Sequence, residues 1–66
     1  MKWTYAQVGD WLELLDYHQY VATFVEHEID GEALQALSRD DLKELIPVMG
    51  ARAKITKARD ALFGNT

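Results

Sequence analysis

The chain contains no cysteine, and this absence excludes two ways of stabilising a small protein. Neither a disulfide framework nor a zinc site built on thiolates is available to it. With 66 residues we expect one domain with a thin core, which depends on packing, helix caps and short connections. A chain of this size also argues against an enzyme that carries its own cofactor fold, and we expect no cofactor.

Long hydrophobic runs are also absent. No apolar stretch approaches the roughly 18 residues that a membrane-spanning helix needs. The first residues do not show the charged and apolar pattern of a secretory signal. We therefore expect a soluble, intracellular domain, either cytoplasmic or nuclear, with no membrane as partner.

Basic residues are scarce in the first part of the chain. Residues 1–38 carry seven acids and one base, whereas residues 39–66 carry four acids and six bases. The net charge of −4 argues against a general affinity for nucleic-acid phosphates. The uneven distribution indicates two surfaces of opposite charge on one small domain.

Apolar residues recur at helical spacing along the chain, and the alternation typical of strands is lacking. The expected fold is all-α, a compact five-helix bundle that forms a single domain over residues 1–66. Four short helices precede a longer C-terminal one, and the spacing predicts them over residues 5–15, 17–26, 31–37, 39–45 and 48–62. A hairpin turn is the alternative interpretation of Asp30–Gly31, but no alternating strands flank it.

Four of these helices have a candidate N-terminal cap. Thr4 and Gln7 have the spacing of a capping box, and Asp16, Asp30 and Ser38 precede helices 2, 3 and 4. Helix 5 instead follows the segment Ile46-Pro47-Val48-Met49-Gly50, which contains no capping side chain. Its first backbone amides are therefore expected to meet water or another molecule.

The periodicity also predicts which side chains face the core. Helix 2 is expected to bury Tyr20, Val21, Phe24 and Val25, and helix 5 to bury Val48, Ala51, Ile55, Ala58 and Leu62. The two histidines, His18 and His27, do not have the i, i+4 spacing that places two metal ligands together on a helix. No metal site is expected.

An ordered set of residues resembles a sterile alpha motif (SAM) domain. The set is Trp3-Thr4, Val8, Trp11-Leu12, Tyr20, Phe24, Glu28-Ile29-Asp30-Gly31, Leu34, Leu37, Asp41-Leu42, Gly50, Arg52 and Lys54-Ile55. The resemblance runs from Trp3 to Leu62 and implies a five-helix protein-interaction module that often self-associates. The sequence departs from the family at Leu45-Ile46-Pro47, where a Leu-Gly-Ile type of turn is common, and at Ala53 and Arg59, where large aliphatic residues are usual.

The resemblance also implies two interaction surfaces. An end-helix surface at the start of helix 5 would comprise Val48, Met49, Gly50, Arg52, Lys54 and Lys57. A mid-loop surface around helices 2 to 4 would comprise Glu28, Asp30, Glu32, Asp40, Asp41 and Glu44. Docking of one on the other is a heterologous contact, which generates an open chain of subunits unless rotation closes a ring. The expected partner is the domain itself or another SAM domain.

Other interpretations of these residues stay open at this point. The acids could simply form a solvated surface. The bases of helix 5 could pair with acids of the same domain, and Met49 could fill the core instead of binding a partner. Some SAM domains bind RNA hairpins near helix 5, which keeps Arg52, Lys54 and Lys57 as candidates for RNA contact. A heterotypic SAM partner bound by one face alone is a further alternative.

Three other classes of protein are disfavoured. A helix-turn-helix DNA reader would present residues 31–37, which contain Glu32 and no base. An acyl carrier protein needs a serine where the chain has Asp30-Gly31-Glu32. Catalysis has no support, because no nucleophile, base and orienting group can be assembled from the spacing.

Overall fold

Five α-helices make up most of the computed structural model, which describes residues 2–64. They are α1 (Tyr5–Leu14), α2 (Val21–Glu26), α3 (Gly31–Ala36), α4 (Arg39–Leu45) and α5 (Met49–Leu62), and a 3-10 turn over His18–Tyr20 precedes α2. The all-α prediction is confirmed, since residues 2–64 contain no strand. Asp30–Gly31 is therefore not a hairpin turn, and Gly31 is the first residue of α3.

Three of the predicted helix caps are confirmed. At α1, the Thr4 amide donates to Gln7 Oε1 at 2.9 Å, and the Gln7 amide donates to Thr4 Oγ1 at 3.3 Å. At α3, Asp30 Oδ1 accepts a hydrogen bond of 2.9 Å from the amide three residues on. At α4, Ser38 and Asp41 form a second capping box, with hydrogen bonds of 3.1 and 3.2 Å. These local bonds fix where each helix starts.

The predicted cap at Asp16 is wrong. Asp16 takes a left-handed conformation, with φ 67°, and ends α1 instead of starting α2. The amides of Asp16 and Tyr17 donate to the carbonyls of Glu13 at 3.0 Å and Leu12 at 2.9 Å. This is the Schellman arrangement, which satisfies the last carbonyls of a helix. The α2 helix then begins after Tyr20 with no side-chain cap.

The C-terminus of α2 ends in the same arrangement. Glu28 has φ 55°, its amide donates to the carbonyl of Val25 at 3.0 Å, and the Ile29 amide donates to the carbonyl of Phe24 at 2.9 Å. Phe24 and Ile29 are both buried, so the turn has the apolar contact that accompanies this motif. Two left-handed residues thus reverse the chain where glycine would be the usual choice.

The core is apolar throughout the described part of the chain. It consists of Val8, Trp11, Leu12, Phe24, Ile29, Leu34, Leu42, Leu45, Ile46, Ala51 and Ile55. The prediction that Val25 and Val48 belong to the core is wrong, since their side chains are 47% and 58% exposed. Val25 lies in the last turn of α2, and Val48 precedes the first turn of α5, so neither is covered by a neighbouring helix. Tyr20, Val21, Ala58 and Leu62 are partly buried against the core.

Arg59 connects α5 to α3. Its side chain is only 13% exposed, and Nη1 donates to the Leu37 carbonyl at 2.7 Å and, more weakly, to the Leu34 carbonyl at 3.5 Å. The guanidinium also contacts Asp60 Oδ1 at 3.1 Å. The α3 helix has six residues, and a cation at its end satisfies carbonyls that the helix itself leaves free. Where the family usually has a large aliphatic residue, Arg59 therefore joins α5 to the end of α3 by a hydrogen bond.

The helices pack in two groups that share one core. The α1 helix packs against α2 and α3, and α4 packs against α5. The Trp3 carbonyl accepts a hydrogen bond of 2.9 Å from the Gly31 amide, which ties the N-terminal segment to α3. The Cα radius of gyration is 10.5 Å, close to the value of about 11 Å expected for a compact chain of this length.

Candidate interaction surfaces

The start of α5 presents apolar side chains to solvent. Met49 is 74% exposed and Val48 is 58% exposed. Val48 occupies the cap position with an extended backbone, and no side-chain hydrogen bond caps the helix. The sequence had indicated that α5 alone lacks a side-chain cap, but α2 lacks one as well. The distinguishing feature of α5 is the exposed apolar pair at its uncapped start.

Of the three predicted bases on the end-helix surface, one is engaged within the domain. Arg52 is partly buried, and its Nη1 donates to the carbonyl of Ile46 at 3.2 Å, which braces the turn between α4 and α5. Lys54 and Lys57 are exposed, and neither forms an ion pair with any acid in residues 2–64. These two lysines are therefore the bases that an acidic partner would meet. Because Arg52 is engaged within the domain, only two of the three bases suggested for RNA contact stay exposed.

The acids of the mid-loop surface differ in what they contact within the domain. Asp30 and Asp41 are helix caps, so both already bind backbone amides. Glu32 and Asp40 lie in the first turns of α3 and α4, where a helix dipole favours acids. Glu44 is exposed, and no hydrogen bond or ion pair involves it in the described residues. The remaining acid, Glu28, is exposed at the left-handed end of α2.

A shallow depression of about 140 Å³ lies on this side of the molecule. We call it the acidic depression. It is lined by His27, Ile29, Leu37, Asp41, Glu44 and Leu45. Its apolar residues come from the segments that flank α3 and from α4, and its two carboxylates both come from α4. The structure thus brings Asp41 and Glu44 of the predicted set to one place, next to an apolar floor.

Four residues of the acidic depression were missed by sequence reasoning. They are His27, Ile29, Leu37 and Leu45, and none of them was predicted from the sequence to have a role in binding. A signal for Ile29 and Leu37 is that they flank the short α3 helix, because a six-residue element covers little of its neighbours. Within residues 2–64, no group of three or more potential metal ligands occurs. No described helix is long and apolar enough to cross a bilayer.

Residues 1–62 match the family described as the SAM domain (sterile alpha motif). This chain belongs to the SAM domain family. The SAM domain is a protein-interaction module, so the expected class of function is confirmed at that level.

The chain is similar to parts of several larger proteins. It is 42% identical over 57 residues to the mouse protein "SH3 and multiple ankyrin repeat domains protein 1", which covers 85% of this chain. It is 41% identical over 58 residues, or 86% of the chain, to the "Mitogen-activated protein kinase adapter protein MST50" of Pyricularia oryzae. It is 39% identical over 65 residues, or 97% of the chain, to mouse "Diacylglycerol kinase eta".

The SAM domain spans a small share of each relative. The matched regions are 3%, 12% and 5% of the three proteins in the same order. The kinase match therefore transfers no catalytic activity to this chain. What the relatives share with it is the SAM domain, an interaction module.

Proposed function

We propose that this SAM domain associates head to tail with further copies of itself, with the end-helix surface of one copy on the mid-loop surface of the next. The observation that carries the proposal is the exposed pair Val48 and Met49 at the start of α5, a helix whose exposed Lys54 and Lys57 form no ion pair within residues 2–64, on a chain that also has an apolar depression with two carboxylates. The two surfaces are complementary in both polarity and charge.

The apolar part of the contact would be made by Met49. Its flexible side chain is 74% exposed and is suited to irregular apolar sites such as the acidic depression. Complete burial of a methionine side chain contributes about 1.5–3 kcal/mol. Burial in the depression would place it against Ile29, Leu37 and Leu45, and no other exposed side chain near the start of α5 offers as much apolar surface.

The charged part would be made by Lys54 and Lys57 with Glu44 and Asp40. All four side chains are exposed, so each pair contributes only about 0.2–1 kcal/mol. Charge pairs of this kind chiefly set the orientation and the rate of association. We therefore expect an affinity that falls with salt but does not vanish, because the Met49 contact is insensitive to screening.

Sedimentation velocity over a concentration series, at low and high salt, tests self-association. We expect the weight-average sedimentation coefficient to rise with concentration, and to rise less at high salt. Met49→Glu and Glu44→Lys should each keep the domain monomeric. Glu44 is a better target than Asp41, and Lys54 a better one than Arg52, because Asp41 and Arg52 stabilise the fold itself.

Matched controls lie on α1, outside both surfaces. Leu14→Glu places the same charge on an exposed apolar residue, and Glu13→Lys makes the same charge reversal on an exposed acid. Both should assemble like the unmodified domain. A domain that stays monomeric at low salt and high concentration contradicts self-association, and its SAM partner is then a different chain.

A further inference from the structure

A second depression, outside both surfaces discussed above, lies along α1. We call it the tryptophan groove. It has a volume of about 220 Å³ and is lined by Trp3, Gln7, Asp10, Trp11 and Leu14. Trp3 and Trp11 are the two tryptophans of the chain, and both contribute to this one site.

Leu14 makes the groove more apolar than the surface around it. It is 86% exposed, more than any other large apolar side chain of residues 2–64. The α1 helix buries Val8, Trp11 and Leu12, and Leu14 lies outside that stripe. An isolated exposed leucine is ordinary, but one beside two indole rings forms a continuous apolar patch of the kind that marks interaction sites.

The walls of the groove are held in place without a ligand. Trp11 is 8% exposed and belongs to the core, so the floor is fixed by packing. The Trp3 carbonyl is bonded to the Gly31 amide, and the next residue, Thr4, is held by the capping box with Gln7. A preformed site loses little conformational entropy on binding, which favours a real affinity for a suitable partner.

Charge indicates what that partner is. The α1 helix contains two acids, Asp10 and Glu13, and no base. Asp10 is exposed on the rim of the groove, and Lys2 is the one basic residue among residues 1–38. A second copy that packed groove to groove would bring like charges together, whereas a basic partner would find opposite charge at the rim.

We propose that the tryptophan groove binds a basic amphipathic helix, from a partner protein, whose apolar face packs on Leu14 and the indole rings. Lysine or arginine residues beside that face would pair with Asp10. An apolar helix face in a hydrophobic groove is a recurring mode of peptide recognition. The contact does not involve the end-helix or mid-loop surface, so it is independent of head-to-tail association.

The test uses a synthetic amphipathic helical peptide made of leucine and lysine, with no tryptophan. It is titrated into the domain, in the monomeric Met49→Glu form as well as the unmodified one, while the emission of Trp3 and Trp11 is followed. We expect a saturable change with one peptide bound per domain. A peptide of the same pattern with glutamate in place of lysine should not bind.

Variants locate the site. Leu14→Gln removes the exposed apolar surface without changing charge, and should weaken binding roughly tenfold or more, as expected for the loss of one buried leucine. The 86% exposure of Leu14 means that this variant keeps its core, which circular dichroism would verify. Asp10→Asn should reduce the salt dependence, and Glu44→Lys should leave the affinity within about twofold of its original value.

Three results would overturn the proposal. The first is equal affinity of Leu14→Gln and the unmodified domain for the peptide. The second is loss of binding in Glu44→Lys, which would assign the peptide to the mid-loop acids. The third is a concentration-dependent change in emission without peptide that Leu14→Gln abolishes, which would make a second copy the occupant.

Discussion

Arg59→Ala is predicted to be among the most destabilising changes outside the apolar core. The side chain is 13% exposed, and its bond to the Leu37 carbonyl is short, at 2.7 Å. A hydrogen bond from a charged donor contributes about 1.5–3 kcal/mol, while the contact at 3.5 Å adds little. The pair with Asp60, which is 39% exposed, adds no more than about 1 kcal/mol. We expect a total loss of about 1.5–4 kcal/mol.

The consequence is large for a domain of this size. Typical stabilities of about 0.05–0.15 kcal/mol per residue correspond to about 3–10 kcal/mol here, so this single change removes a large fraction. Urea denaturation followed by circular dichroism measures this loss, and in a thermal melt the melting temperature should fall by at least about 6 °C. Lys57→Ala, an exposed residue of the same helix, is the matched control and should cost less than about 0.5 kcal/mol.

A second control separates the two roles of Arg59. Asp60→Asn removes the ion pair but leaves the bond to α3, so it should cost about 1 kcal/mol or less. If Asp60→Asn were as damaging as Arg59→Ala, the bond between α5 and α3 would not be the source of the stability. A loss below about 0.5 kcal/mol for Arg59→Ala would refute the reasoning altogether.

Three further changes test local features of the fold. Asp30→Ala removes the bond that caps α3 and should cost about 1 kcal/mol in urea denaturation, whereas Asp30→Asn should cost less. Glu28→Gly relieves a left-handed residue, with φ 55°, and should raise the stability by about 0.5–1 kcal/mol; a decrease would contradict the assigned backbone. Gly50→Ala adds a methyl group that meets no atom within 4 Å, so thermal melting should show a gain of about 0.5–1 kcal/mol. Weaker assembly of that stabilised variant in sedimentation would indicate that a partner backbone approaches Gly50 closely.

The features predicted correctly from the sequence are those that depend on neighbours along the chain. The caps at Thr4, Asp30 and Ser38 each join residues three apart, so their spacing carries the whole signal. Asp16 had the right residue type for a cap but lies in a turn that closes the preceding helix. Residue type alone does not distinguish the end of one helix from the start of the next when only a few residues separate them.

Features that depend on tertiary contacts were not accessible from the sequence. Arg59 was noted as a departure from the family, but its partner Leu37 is 22 residues away. The acidic depression likewise combines residues from α4 and from the segments that flank α3, and the apolar periodicity of one helix does not show which other segments pack beside it. The tryptophan groove did leave a signal, because Leu14 lies outside the stripe of Val8, Trp11 and Leu12 that α1 buries. Such a residue indicates a binding surface only together with its neighbours, here Trp3 and Trp11, and the position of Trp3 beside α1 is a tertiary feature.

The central claim, that two different faces of this SAM domain bind each other, is tested most directly by mixing two disabled variants. Met49→Glu keeps the mid-loop surface, and Glu44→Lys keeps the end-helix surface. Sedimentation equilibrium should show each variant as a monomer alone and an equimolar mixture as a discrete dimer, because one intact pair of faces remains. A mixture that stays monomeric, or a single variant that still forms larger assemblies, would contradict the account.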